Sequence, residues 1–234
     1  MKNLIIASTS TLFGENYLEY LLDELIDFYQ NTQEILFIPF ARPSGISHDE
    51  YTKKVHETFQ KIGKSIIGLH TFENQKQGIN QSKGIFVGGG NTFVLSQQMY
   101  INDLWETLKN VINSGIPYLG TSAGSNICGL SIQNTNDMPI VSIPSYSALG
   151  VFPFNINCHY LDSDINSKHN GETRETRIKE FFTYNNIPVL GLKEGSFLRI
   201  IGDEITLKGK LDAILFTNSD IKEIKPNTDL SYLK

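Results

Sequence analysis

No stretch of this sequence approaches the roughly 18 consecutive apolar residues that a membrane span requires. Nor is there a block of Lys and Arg: the formal net charge is −5, and the clustered cations on which nucleic-acid binding rests are missing. The two cysteines, Cys128 and Cys158, form no CxxC pair and are too few for a disulfide framework, so they read as free thiols in a reducing compartment. Met1-Lys2-Asn3 leads into a short apolar run at residues 4–7, too short for a signal-peptide core, and this run reads as a first strand. The expectation is a cytoplasmic protein without a membrane or nucleic-acid partner, suited to a small polar ligand.

What is present is the composition of a soluble globular chain. At 40% apolar and 19% charged residues it is neither disordered nor fibrous, and 234 residues can bury one large core. No linker, repeat or low-complexity segment divides it, so residues 1–234 read as a single catalytic domain. Short apolar runs at 4–7, 35–38, 65–69, 84–87 and 116–119 read as strands. Between the first of them lie helical spacings, at Leu18, Leu21, Leu22, Leu25 and Phe28 and at Tyr51, Val55 and Phe59. Apolar strands alternating with helices predict an α/β fold, a mainly parallel sheet covered on both faces. From about residue 130 the pattern becomes strand-rich, with runs at 140–143, 151–156, 189–192, 197–201, 205–207 and 213–216 and one helix near 172–184. These read as further strands, some antiparallel, extending the same sheet.

Chemistry enters at Gly120-Thr121-Ser122-Ala123-Gly124, which follows an apolar strand and opens a helix. That is the setting of a nucleophile elbow. Flanking glycines let a strained turn present the serine at a helix N-terminus, where the N–H of Ala123 would serve as one oxyanion donor. As a bare pattern, GxSxG also describes a serine capping a glycine-flanked turn. A second run, Val87-Gly88-Gly89-Gly90-Asn91-Thr92-Phe93, lacks the Lys of a P-loop and the spacing of a dinucleotide fingerprint. It reads as the other half of an oxyanion hole, with Gly89 and Gly90 as equal candidates and Asn91 as a substrate-binding neighbour.

Of the histidines His48, His56, His70, His159 and His169, His56 falls on a helix and His70 ends a strand, both reading as structural or exposed, while His159 immediately follows an apolar strand at the same kind of edge as Ser122. It is the candidate general base. Two acids compete to orient it: Asp137, which gives the chain order Ser…Asp…His, and Glu194, which gives Ser…His…Glu. The residues leave that choice open. The acid not used would be free to meet a substrate amine.

Together these motifs resemble serine peptidase family S51, the peptidase E family of α-aspartyl dipeptidases. The similarity runs over nearly the whole chain. It takes in Ser10-Thr11, Ile38-Pro39-Phe40-Ala41, Asp49-Glu50-Tyr51-Thr52, Val87 to Phe93, Ser122-Ala123-Gly124, Thr135 to Val141, Asn157 with His159, and Gly171-Glu172-Thr173-Arg174. The resemblance implies a flavodoxin-like three-layer sandwich related to class I glutamine amidotransferase domains. It also implies cofactor-free, metal-independent hydrolysis of dipeptides beginning with aspartate, by a monomer or homodimer. It makes Ser122 the nucleophile and His159 the base, puts Asp137 at the acid of the charge relay, and keeps Glu194 as its rival. Recognition of an aspartyl side chain calls for a cation, and Arg174 is the candidate for a bidentate pair. Action on such short substrates further implies a closed pocket. Three residues depart from the family pattern beside reacting groups: Thr121 in place of an aromatic residue, and Cys158 and Lys193 each in place of a proline. The competing expectations are cleavage of β-aspartyl, cyanophycin-type linkages and a binding protein that has lost turnover; the presence of every reacting group disfavours the second.

Overall fold

The computed structural model describes residues 1–163 and 171–233; His169 lies outside the described residues. In chain order the elements are β1 (Asn3–Ala7), α1 (Leu22–Phe28), β2 (Glu34–Ile38), α2 (His48–Gln60), β3 (Ser65–Gly68), α3 (Gln75–Gln81), β4 (Ile85–Val87), α4 (Thr92–Ile101), α5 (Trp105–Ser114), β5 (Tyr118–Thr121) and α6 (Ala123–Asn126). There follow β6 (Asn155–Cys158), α7 (Arg174–Phe182), β7 (Val189–Leu192), β8 (Ser196–Ile201), β9 (Glu204–Gly209), β10 (Ala213–Phe216) and β11 (Ile221–Ile224).

The main sheet has the order β3-β2-β4-β5-β1-β8-β9. Its strands β1 to β5 are mutually parallel, and β8 and β9 extend it antiparallel beside β1. Alternation along each strand sends side chains to two different cores. Leu4 and Ile6 of β1, with Leu36 and Ile38 of β2, join α4, α5 and α6 on one face. Ile5, Ala7, Ile35 and Phe37 turn the other way, against α1 and α2. Tyr51, Val55 and Phe59 are buried one helical turn apart and form the inward stripe of α2, which starts at a Ser47–Glu50 capping box.

The C-terminal half corrects the expectation of one continuous sheet. β6, β7, β10 and β11 form a separate four-stranded sheet, ordered β11-β10-β7-β6, with β6 and β7 parallel and the remaining pairs antiparallel. The chain changes sheets within residues 193–195, where Gly195 takes φ +90° and Ser196 N–H closes the turn on Lys193 O. Three further corrections are local. Residues 140–143 form no strand, and the strand expected at 151–156 begins only at Asn155. The helix expected from Leu18 begins at Leu22, because Leu18 is left-handed (φ 56°) and a 3-10 turn precedes α1. The second sheet still shares the first core: Ile156, Leu190, Leu192, Ala213 and Leu215 belong to the same apolar cluster as Leu4 and Ile6.

Candidate active site

Strands β5, β6 and β7 all present their carboxyl ends to one place. Ser122 follows β5 directly and holds φ 51°, ψ −110°, a conformation that non-glycine residues rarely adopt. The strained turn is locked from both sides: Ser122 N–H donates to Ala7 O at 3.1 Å, while Ser122 O accepts from the N–H groups of Ser125 and Asn126 at 2.9 Å. The flanking glycines are required by contact, since a Cβ on Gly124 would lie 2.2 Å from Val87 O and one on Gly120 2.5 Å from Gly124 O.

His159 follows β6, also with positive φ (55°), and its Nε2 lies 2.8 Å from Ser122 Oγ. Its Nδ1 lies 2.7 Å from Glu194 Oε1. An ionised carboxylate can only accept, so Nδ1 carries the proton shared with Glu194, and Nε2 is left to accept the Ser122 hydroxyl. That is the tautomer a general base needs. Glu194 is placed by the sheet-changing turn after β7, whose Leu192 pairs with Cys158 of β6 in parallel register.

Asp137 goes elsewhere. Its carboxylate accepts from the N–H of Thr92 at 2.8 Å and from the hydroxyls of Thr92 and Thr135, at the N-terminus of α4, where the helix dipole favours an anion. Asn126 of α6 donates to both of those threonine hydroxyls, tying Asp137 to the elbow helix. The loop before Asp137 is clasped to β6, with Asn136 donating to Cys158 O and Asn157 to Asn134 O, each at 2.7 Å. Of the two candidate acids, the structure brings Glu194 to His159 and seats Asp137 on α4.

The glycine run after β4 lies against the nucleophile. A Cβ on Gly89 would stand 3.1 Å from Ser122 Cβ, and one on Gly90, at φ +150°, only 2.2 Å from Ala41 O. The N–H groups on either side of this pair are taken up, Gly88 by Ile38 O and Asn91 by Ala41 O. Asn91 itself caps α4, accepting from Phe93 and Val94 N–H, while its Nδ2 donates to Met138 O. Arg174 opens α7, half-buried; burial and the neighbouring Arg177 lower its pKa while the negative charge of Asp137 opposes that shift. It has no ion-pair partner among the described residues.

One residue with a positioning role escaped sequence reasoning. Ser8, the first residue after β1, accepts the His159 N–H at 2.9 Å and donates to Leu192 O at 2.6 Å, so one hydroxyl joins the ends of β1, β6 and β7. Its only sequence signal is a serine directly after an apolar strand. At the three departures, Thr121 is fully buried with an Oγ1 that has no partner among the described residues. Cys158 Sγ lies 3.4 Å from Ser122 O, and burial drives its thiol pKa well up. Lys193 bridges Asp162 at 2.6 Å and Asp212 at 3.6 Å. The side chains of His159 and Glu194 are 38% and 44% exposed, so the expected closed pocket is not formed on that side by the described residues. Among the described residues no group of three or more His, Cys, Asp or Glu is arranged to hold a metal ion, and no helix is long and apolar enough to cross a membrane.

Residues 4–208 match the family profile of peptidase family S51. The chain belongs to peptidase family S51. It is 42% identical over 236 residues to a Drosophila melanogaster protein named "Probable alpha-aspartyl dipeptidase", an alignment covering 99% of this chain and 97% of the fly protein. It is equally 42% identical, over 232 residues, to a peptidase E of Streptomyces coelicolor, covering 99% and 94% of the two chains. Among solved structures, a peptidase from an acI-B1 Actinobacterium superposes with a TM-score of 0.72 over 98% of this S51 chain and 96% of its own, at 15% identity. At that identity the likeness concerns the fold, and it agrees with a mixed α/β architecture built on a mostly parallel sheet.

Proposed function

We propose that this S51 chain is a serine dipeptidase that cleaves dipeptides with an N-terminal aspartate through an acyl-enzyme on Ser122. The observation that carries the reading is the continuous hydrogen-bonded line from Ser122 Oγ through the His159 ring to Glu194 Oε1. Ser122 Oγ attacks the carbonyl carbon of the aspartyl residue as its proton passes to His159 Nε2. The oxygen of the tetrahedral intermediate is met by the Ala123 N–H and by one from the Gly89–Gly90 segment. Collapse breaks the C–N bond, and the departing amine takes the proton from Nε2. Water, deprotonated by the same nitrogen, then attacks the ester carbon and releases aspartate with Ser122 restored. Glu194 holds the ring in its working tautomer and stabilises the imidazolium.

The aspartyl substrate is assigned from the names of the relatives and from the guanidinium of Arg174, which has no ion-pair partner among the described residues and suits a carboxylate as a two-point partner. Asp137, whose charge acts on Arg174 and which is tied to the elbow helix through Thr92, Thr135 and Asn126, is the acceptor for the substrate α-ammonium. No step calls for a metal.

The test is aspartate release from Asp-Leu and its β-linked isomer in the presence of EDTA. Release from the α-linked dipeptide is expected, and its loss in Ser122→Ala. Full activity in that variant would sink the mechanism, and release from the β-linked isomer alone would sink the specificity. Glu194→Gln is expected to lower kcat by up to about 10⁴-fold with KM little changed, as for a triad acid. Asp137→Asn, by contrast, should act mainly through KM; the reverse pattern would exchange their roles.

A further inference from the structure

Two buried tyrosines stand behind the glycine run. Tyr51, on α2, is 1% exposed, and its hydroxyl donates to the Gly89 carbonyl oxygen at 3.3 Å. Tyr17 Oη lies 3.2 Å from the same hydroxyl. With the Tyr51 proton on Gly89, Tyr51 Oη accepts from Tyr17. The Tyr51 ring is held by Phe37, edge-on at 4.9 Å, and by the Arg42 guanidinium 5.0 Å from its centroid. A Cβ on Gly88 would lie 2.6 Å from Tyr51 Oη, so the glycine there keeps the hydroxyl's seat open. A buried hydroxyl needs a partner, and a peptide carbonyl beside the nucleophile is a consequential one.

The described residues contain no cis peptide bond, and in a planar trans peptide the C=O and the following N–H point to opposite sides. Fixing the Gly89 oxygen therefore fixes the direction of the Gly90 N–H. We propose that the Tyr51 hydroxyl is a positioning group for the oxyanion site, aiming the Gly90 N–H at the oxygen of the acyl group on Ser122. Gly90, not Gly89, is then the donor that works with Ala123. Tyr17 polarises the Tyr51 hydroxyl and holds its rotor. This inference rests on the serine-hydrolase reading above, and extends it to a residue on the opposite helical layer.

Tyr51→Phe keeps the ring and removes one oxygen. The expected result is a fall in kcat on Asp-Leu of about tenfold, a fraction of what loss of a whole oxyanion donor costs, with KM changing less than about twofold. The rate at which a fluorophosphonate modifies Ser122 should fall by a similar factor, because charge develops on the equivalent oxygen. A lower melting temperature with both rates unchanged per folded molecule is what a purely structural tyrosine would give, and it would overturn the proposal. Tyr17→Phe, which leaves the Gly89 bond in place, should lower both rates by about two- to threefold through lost polarisation. Should Tyr51→Phe not fold, unchanged rates in Tyr17→Phe overturn the proposal on their own. Wild-type protein that the fluorophosphonate fails to label would instead sink the serine-hydrolase reading; labelled protein that releases no aspartate would sink only the substrate.

Discussion

A single hydroxyl decides how three strand ends meet. Ser8 Oγ satisfies the His159 N–H and donates to the Leu192 carbonyl, at a histidine already held in the left-handed region. Ser8→Ala leaves both groups without that partner, at a cost of about 1–3 kcal/mol. Because the base rides on this contact, kcat should fall by about ten- to a hundredfold. Urea unfolding and steady-state rates check it; lost stability with unchanged kcat would show that His159 is positioned without Ser8. Residue identity alone points to Ser122 and His159, each marked by glycines or by the end of an apolar run. It left the acid open because Asp137 and Glu194 both follow plausible turns. Their separation comes from tertiary contacts: Thr92 and Thr135 hold Asp137, while the turn at residues 193–195 delivers Glu194 to Nδ1.

At the scale of elements, α2 was legible from its stripe alone, with Tyr51, Val55 and Phe59 at fours; the structure adds the Ser47–Glu50 box that starts it. Ser47→Ala should cost about 1 kcal/mol, with kcat unchanged. Bonds from the Ser47 N–H and hydroxyl lower the Glu50 pKa from 4.5, so this stabilisation is present above the unfolded carboxyl value. It is lost as pH falls through the lowered folded value. The wild-type advantage over Ser47→Ala should therefore shrink on acidification below about pH 4.5; a difference constant from pH 7 to pH 3 would contradict it. The start of α1 was not legible, because Leu18 and Leu21 keep helical spacing while the backbone at Leu18 does not. Nor was the partition into two sheets, since a four-residue apolar run looks alike in either. β7 and β8 read as neighbours and pair with different strands.

For the whole molecule, the apolar cluster that unites β1 and β2 with β6, β7 and β10 couples the two sheets. Thermal unfolding should therefore be one transition, coincident by far-UV and near-UV circular dichroism. Two separated transitions would mean that the second sheet is an independent unit. Parallel order and covered faces could be read from the alternation of strands and helices, but the docking of one sheet on the other could not. That docking has a consequence for the chemistry. The nucleophile stands at the end of a strand of one sheet, the base and its acid at the ends of strands of the other, and the chain crosses between the sheets three times, from β5 to β6, from β7 to β8 and from β9 to β10. The Ser122–His159 contact therefore works as a gauge across a seam. Any ligand or substitution that slides the two halves past each other changes the length of that hydrogen bond together with the two that Ser8 makes across the same seam.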